Sequence, residues 1–242
     1  MNRVLTIFIF FILIGCKKEK TLTAEEQRWQ QHAENTEIIR DDFGVPHIYG
    51  KTDADAVFGL LYAQCEDDFN RVERNYIWAI GRLAEIEGEA SLYSDLRAKL
   101  YMTKDEAIKN YNNSPKWLQE LCVAFADGVN YYLKTHPEVT PKLLTHFEPW
   151  MPMYFSEGSI GGDIERVSTK KIKAFYTGGT DNTVAVNDGL IRLKDDEPRG
   201  SNGFAISGSK TKSGDAMLLI NPHTSFYFRG EVHVVSEEGL NA

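Results

Sequence analysis

Ser201 is the residue whose setting invites chemistry. It opens an alternating run, Ser201 to Ile206, directly after a polar stretch that ends Asp195-Asp196-Glu197-Pro198-Arg199-Gly200. By itself such a residue reads as a turn serine. A nucleophilic role requires the bond between Gly200 and Ser201 to be cut. The new α-amine then stands beside the hydroxyl of the same residue. A free α-amine titrates near about 7.7–8.0, so an appreciable fraction is neutral at working pH. It can take the hydroxyl proton directly or through a water, and no separate histidine base is needed.

A hairpin must position that serine. Ala216 to Ile220 is continuously apolar, like a strand buried on both faces. Between the two runs, Ser207 to Asp215 is rich in Ser, Gly and Lys and can only be a turn. Centred near residue 211, the hairpin places residue 221 opposite residue 201. Asn221-Pro222-His223 then returns to the start of the first strand, and His223 is the histidine near Ser201 in this pairing. Lys210 and Lys212, in the turn, read as solvated.

Other chemistries find little support. None of the 6 histidines has HxxxH spacing and no CxxC occurs, so a zinc site has no backing. No phosphate-loop or dinucleotide fingerprint is present. Gly158 to Gly162 is glycine-rich but follows no strand pattern, so it reads as a loop. Ser207 to Thr211 does not fit the frame of a GxSxG elbow. The pairs Asp41-Asp42 and Asp67-Asp68 read as solvated turn and helix faces.

The remaining elements follow from caps and periodicity. Thr23 and Glu26 form a capping box for a helix to about Asn35. Glu37–Arg40 and Val45–Tyr49 read as short strands around the turn composition Asp41-Asp42-Phe43-Gly44. Thr52 caps a long helix through about Ala79, which Gly81 ends. Ser114-Pro115 reads as an N-cap followed by an N1 proline. After it Trp117, Leu118, Leu121, Phe125, Val129 and Leu133 form an apolar stripe for the core. Residues 135–162 read as irregular and 163–176 as helical. No internal repeat is present.

The beginning of the chain is an address. Met1-Asn2-Arg3 precedes an apolar run, Val4 to Ile14, that rises about 16 Å as a helix, roughly half a bilayer core. That is the core of a secretory signal rather than a span. Leu13-Ile14-Gly15-Cys16 then resembles the bacterial lipobox, which implies cleavage before Cys16 and lipid on its thiol and amine. The alternative is an ordinary cleaved signal with an incidental cysteine. Cys65 and Cys122 could pair in an oxidising compartment, or remain buried thiols.

Composition sets the outer bounds. At 242 residues, 42% hydrophobic and 26% charged, the chain can bury a core as one large domain or two small ones. A net charge of −8 argues against nucleic acid as a partner. The organisation expected is a signal at 1–15, a lipidated tether at 16–22, a mostly helical region at 23–177, a linker at 178–200 and a strand-rich start at 201–242.

Several segments together resemble one family. Ile39-Arg40-Asp41, Gly44-Val45-Pro46-His47-Ile48, Phe58-Gly59, Ala63-Gln64, Gly81-Arg82-Leu83-Ala84-Glu85, Phe147-Glu148-Pro149-Trp150 and Gly200-Ser201-Asn202 stand in the order found in penicillin acylase precursors. These are N-terminal-nucleophile amidohydrolases. The resemblance implies an α+β fold, the start of an αββα sandwich with a mostly helical α-chain region. It implies a secreted precursor cut into an α chain, a removed spacer and a β chain beginning at Ser201. Acyl amide hydrolysis would follow, with Gly200 and Ser201 flanking the cut and His223 beside the nucleophile. A histidine rather than glutamine there resembles the glutaryl, cephalosporin, aculeacin and acyl-homoserine-lactone types. The chemistry needs no cofactor. Many members hold one structural calcium, for which Glu165 is the best positional match and Asp163 its competitor.

The implied partners are a small acyl amide, the downstream β-chain sequence and, through Cys16, a membrane of the bacterial cell envelope. Phe226-Tyr227-Phe228 fits an acyl pocket or plain strand packing. Cys65-Glu66-Asp67 departs from the aspartate usual after Ala-Gln. The family's oxyanion donors are expected downstream of residue 242, so a catalytically incompetent truncated lipoprotein is the rival expectation.

Overall fold

The computed structural model describes residues 22–155, 167–178, 200–223 and 230–242. Cys16, Asp163, Glu165, the linker residues 179–199 and Phe226-Tyr227-Phe228 lie outside them.

Helix α1 (Ala24–Glu34) starts where expected, with Thr23 and Glu26 in a reciprocal capping box. Strands β1 (Thr36–Arg40) and β2 (Pro46–Gly50) pair antiparallel. Their turn is held by Asp41, whose Oδ1 accepts from the backbone N–H of Phe43 and Val45 at 2.9 Å each. Gly44 takes φ 82° there, a conformation that suits glycine. Helix α2 (Asp53–Ala79) begins with a second capping box, Thr52 and Asp55. It kinks at Asp68 (φ −162°, ψ 77°). Gly81 follows it in the left-handed region.

Three short helices were not anticipated: α3 (Ala84–Glu87), α4 (Leu92–Lys99) and α5 (Lys104–Asn113). Helix α6 (Lys116–Thr135) begins one residue later than the sequence suggests. Pro115 is its N-cap, and Ser114 instead ends α5. Its stripe packs on α2 at Leu61, Phe69, Tyr76, Ile77, Val129 and Tyr132, with Phe147 among them. Trp117 is the exception: it is 61% exposed, because the first turn of α6 overhangs the core. The α2–α6 approach is close. A Cβ on Gly128 would stand 2.4 Å from the Phe58 carbonyl oxygen. Burying each large side chain here contributes about 1.5–3 kcal/mol.

Two buried polar side chains of this bundle, Glu73 and Asn130, are satisfied by backbone, whereas the buried Tyr76 hydroxyl has no hydrogen-bond partner among the described residues. Buried Glu73 accepts from the N–H groups of Lys142, Leu143 and Leu144 at 2.9, 2.7 and 2.9 Å. Buried Asn130 both donates to and accepts from the Phe147 backbone, at 2.8 Å each way. These bonds pin an irregular loop to α2 and α6. Helix α7 (Thr169–Thr177) supports part of the expected 163–176 helix, shifted toward the C-terminus.

The strands form two sheets among the described residues, β1-β2-β5 and β3-β4. Strand β5 (His233–Ser236) was missed by the sequence reading; it pairs parallel to β2. Ile48 and Val234 from this sheet are buried with Ala56 and Ala63 of α2. Strands β3 (Gly200–Ile206) and β4 (Met217–His223) form the expected hairpin. The expectation that its apolar strand is buried on both faces is not met. Phe204, Leu218, Leu219 and Ile220 are 62%, 70%, 53% and 69% exposed, since no described element packs on either face. Cys65 and Cys122 are free and buried. The described fold is thus α+β, dominated by helix.

Candidate active site

The hairpin is what positions Ser201. Its turn is built from short-range bonds. Lys210 N–H donates to the Ser207 carbonyl at 2.8 Å, and Thr211 Oγ1 donates to the Asp215 carbonyl at 2.8 Å. Gly208 lies so close to Gly214 that a Cβ on it would meet the Gly214 oxygen at 2.1 Å. The turn therefore locks the register, as turn chemistry does in hairpins generally. Lys210 and Lys212 are exposed.

That register is one residue from the arithmetic centre. Ser201 pairs with Pro222, Gly200 with His223 and Asn202 with Asn221. The ladder closes at the Ile206–Met217 pair, so the connection is centred between Thr211 and Lys212 rather than on residue 211. Residue 223 is consequently the cross-strand partner of Gly200, the residue before the nucleophile position. The His223 side chain lies outside the described residues. Ser201 itself is exposed at the start of β3.

Elsewhere the described residues hold polar clusters with structural rather than open chemistry. Asp127, buried on α6, accepts from Arg28 Nε at 2.5 Å, Arg28 Nη2 at 2.8 Å and Trp29 Nε1 at 2.8 Å. His32 Nδ1 lies 2.7 Å from Asp55 Oδ1. Arg28 is raised further by its bond to Asp127, against the opposing pull of burial. This cluster ties α1 to α2 and α6. No local spacing in the sequence announces it, because its members come from three helices. Burial pushes the Cys65 thiol up to about 12, which makes it inert. Among the described residues no group of three or more His, Cys, Asp or Glu could hold a metal ion.

Comparison with known proteins places these elements. The acyl-homoserine lactone acylase QuiP of Pseudomonas fluorescens is 31% identical over 134 residues, which is 53% of this chain and 16% of that protein. Penicillin acylase 2 proenzyme of a Pseudomonas species is 22% identical over 236 residues, 80% of this chain and 30% of that protein. A solved thermostable penicillin G acylase from Alcaligenes faecalis aligns with a TM-score of 0.40 and 19% identity, over 60% of this chain and 75% of that one. The chain spans less than a third of the length of the curated relatives it matches. A family model described as penicillin amidase matches residues 35–236, from β1 across the linker and the β3–β4 hairpin to the end of β5. By that match the chain belongs to the penicillin amidase family.

Proposed function

We propose that this chain is the N-terminal part of an acyl amide hydrolase whose nucleophile is Ser201, released by cleavage of the Gly200–Ser201 bond. The observation that carries the reading is the continuity of the family match across the linker, with Ser201 at the exposed opening of β3. In the cleavage step Ser201 Oγ attacks the Gly200 carbonyl and the peptide becomes an ester. Water then hydrolyses that ester, leaving a carboxylate on Gly200 and a free amine on Ser201.

The same hydroxyl then attacks the substrate acyl carbon. The Ser201 α-amine takes the hydroxyl proton and passes it to the leaving amine. Water, activated by that amine, hydrolyses the acyl-enzyme and restores the hydroxyl. His223, across from Gly200 in the register, acts as an auxiliary that orients the nucleophile. Relatives named as acyl-homoserine lactone acylases and penicillin acylases support an acyl amide as the substrate. Glu165 would hold a structural calcium, and lipid on Cys16 would keep the protein at the cell envelope.

The test is turnover by the full-length precursor. An N-acyl homoserine lactone and a phenylacetyl amide are offered in parallel, and the released amine is measured. The expected result is amine release that Ser201→Ala abolishes. His223→Ala should lower kcat/KM by roughly one to three orders of magnitude, and His223→Gln by less. Undiminished turnover in Ser201→Ala would overturn the assignment. Incorporation of labelled palmitate that Cys16→Ser abolishes tests the anchor separately.

A further inference from the structure

The sheet β1-β2-β5 has two unlike faces. Ile48 and Val234 turn toward α2 and are buried. His47 and His233, one residue before each, alternate to the opposite face and are directly paired in the register. Their Nδ1 atoms lie 3.0 Å apart, with ring centroids at 5.1 Å and planes at 73°. On the other side of the His47 ring, Nε2 lies 3.5 Å from Asp41 Oδ2. The three groups therefore form a line, carboxylate to imidazole to imidazole, running from the β1–β2 turn to β5.

We propose that His47 and His233 form an acid-sensitive latch that holds β5 on β2. Two facing Nδ1 atoms at hydrogen-bond distance share one proton: one ring donates and the other offers its lone pair. A second proton on the pair places an N–H on both facing atoms and a positive charge on both rings. The bond is then lost and replaced by repulsion. Histidine is the side chain that makes this change between about pH 5 and 8.

The surrounding charges leave that transition to the pair. Asp41 is pulled upward by burial, but this is outweighed by its bonds from the Val45 and Phe43 N–H groups and from His47, so it stays a carboxylate as the pH falls. His47 Nε2 faces that carboxylate, so the other ring nitrogen, Nδ1, is the one turned to His233. Tyr49 presents a ring edge to His233 at 6.2 Å. Glu37, paired with Tyr49 on the same face of the sheet, and Glu231, before β5, are exposed. Arg40 is engaged on the α2 side by Glu66 at 3.1 Å and Asp67 at 2.9 Å. Asp53, at the start of α2, is bonded to Ser236, and its N–H donates to Glu238 Oε2 at 2.8 Å. No cation faces the histidine pair among these groups.

The latch spans a long separation in sequence, from the region before Ser201 to the region after it. Its geometry does not depend on cleavage. Its role as a joint between two chains rests on the cleavage reading given above.

Hydrogen exchange read by mass spectrometry tests the latch on the uncleaved chain. Protection of the segment 230–242 is measured at pH 7.5 and pH 5.0, corrected for the intrinsic exchange rate, with α6 as the internal reference. The wild type should lose at least about tenfold protection in 230–242 at pH 5.0, while α6 keeps its own. His47→Gln, which can hydrogen-bond but cannot gain a charge, should keep protection nearly equal at both pH values. His233→Gln provides the same test from the other strand. Protection of 230–242 that does not change with pH in the wild type overturns the proposal. So does an unchanged pH dependence in both glutamine variants. Either outcome leaves the role of Ser201 untouched, since no turnover is measured.

Discussion

The α2–α6 pair and the β3–β4 hairpin are both written in apolar repeats, yet they meet opposite surroundings. Tyr76, Ile77, Val129 and Phe147 are 2%, 0%, 0% and 0% exposed. On the hairpin, Leu218 and Ile220 are 70% and 69% exposed. The difference is one of partners. The helical stripes face each other, and the loop at residues 142–147 closes over them through Glu73 and Asn130. Among the described residues the hairpin has its turn and its ladder but no layer on either side. Turn chemistry and pairing are enough to form strands, whereas burial is a property of whatever packs against them.

That contrast can be sharpened by measurements of decreasing size. The largest effect concerns Cys65. Because burial pushes this thiol up to about 12, its folded-state thiolate is scarce at pH 8. Relative to an ordinary thiol near about 8.5, labelling should be slowed by roughly a thousandfold. Unfolding in denaturant should restore it. The sign for stability follows: nothing is lost below the ordinary thiol range, and stability falls as the pH rises from there toward about 12. Rapid labelling of Cys65 in the folded chain would mean that the α2–α6 core opens readily.

Phe147→Ala comes next. It empties a fully buried site between Phe69 and Tyr76 and should destabilise the chain by about 3–5 kcal/mol in urea unfolding. Glu73→Ala should cost roughly 1–3 kcal/mol, because it leaves the buried Leu144 N–H and the half-buried N–H groups of Lys142 and Leu143 without their acceptor. A near-zero change for Glu73→Ala would show that the 142–147 loop is held by packing alone. At the small end, Leu219→Ser on the hairpin should change stability by no more than about 0.5 kcal/mol. A penalty of core size there would reveal that the hairpin is covered in solution.

The same contrast explains what the sequence made legible. Thr23 with Glu26 and Thr52 alone are local signals, and both helices start where those residues say. The β1–β2 hairpin was equally readable, because Asp41 and Gly44 carry its turn chemistry within a few residues. Strand β5 was not readable. It is short, and its partner β2 lies far upstream, so no local pattern distinguishes it from a loop. The network of Arg28, His32, Asp55 and Asp127 stayed hidden for the same reason. The hairpin register was missed by one residue because the connection is centred between Thr211 and Lys212, and composition alone does not fix the centre of a long polar turn that finely. Trp117 was assigned to the core by spacing alone, which cannot tell that the first turn of α6 extends past its partner helix.

At the candidate site, the linker composition made Ser201 a candidate that by itself reads as a turn serine, and the resemblance to penicillin acylase precursors gave it a role; the family match includes both the linker and the hairpin. What carries the reading beyond that point is chemistry that only a new N-terminus can supply. The most direct test is therefore to express the full-length precursor, purify the processed protein and sequence the N-termini of its chains. The account predicts a chain that begins Ser-Asn-Gly-Phe-Ala-Ile, at Ser201, and an uncut precursor for Ser201→Ala. A mature chain beginning at any other residue, or normal processing of Ser201→Ala, would contradict it.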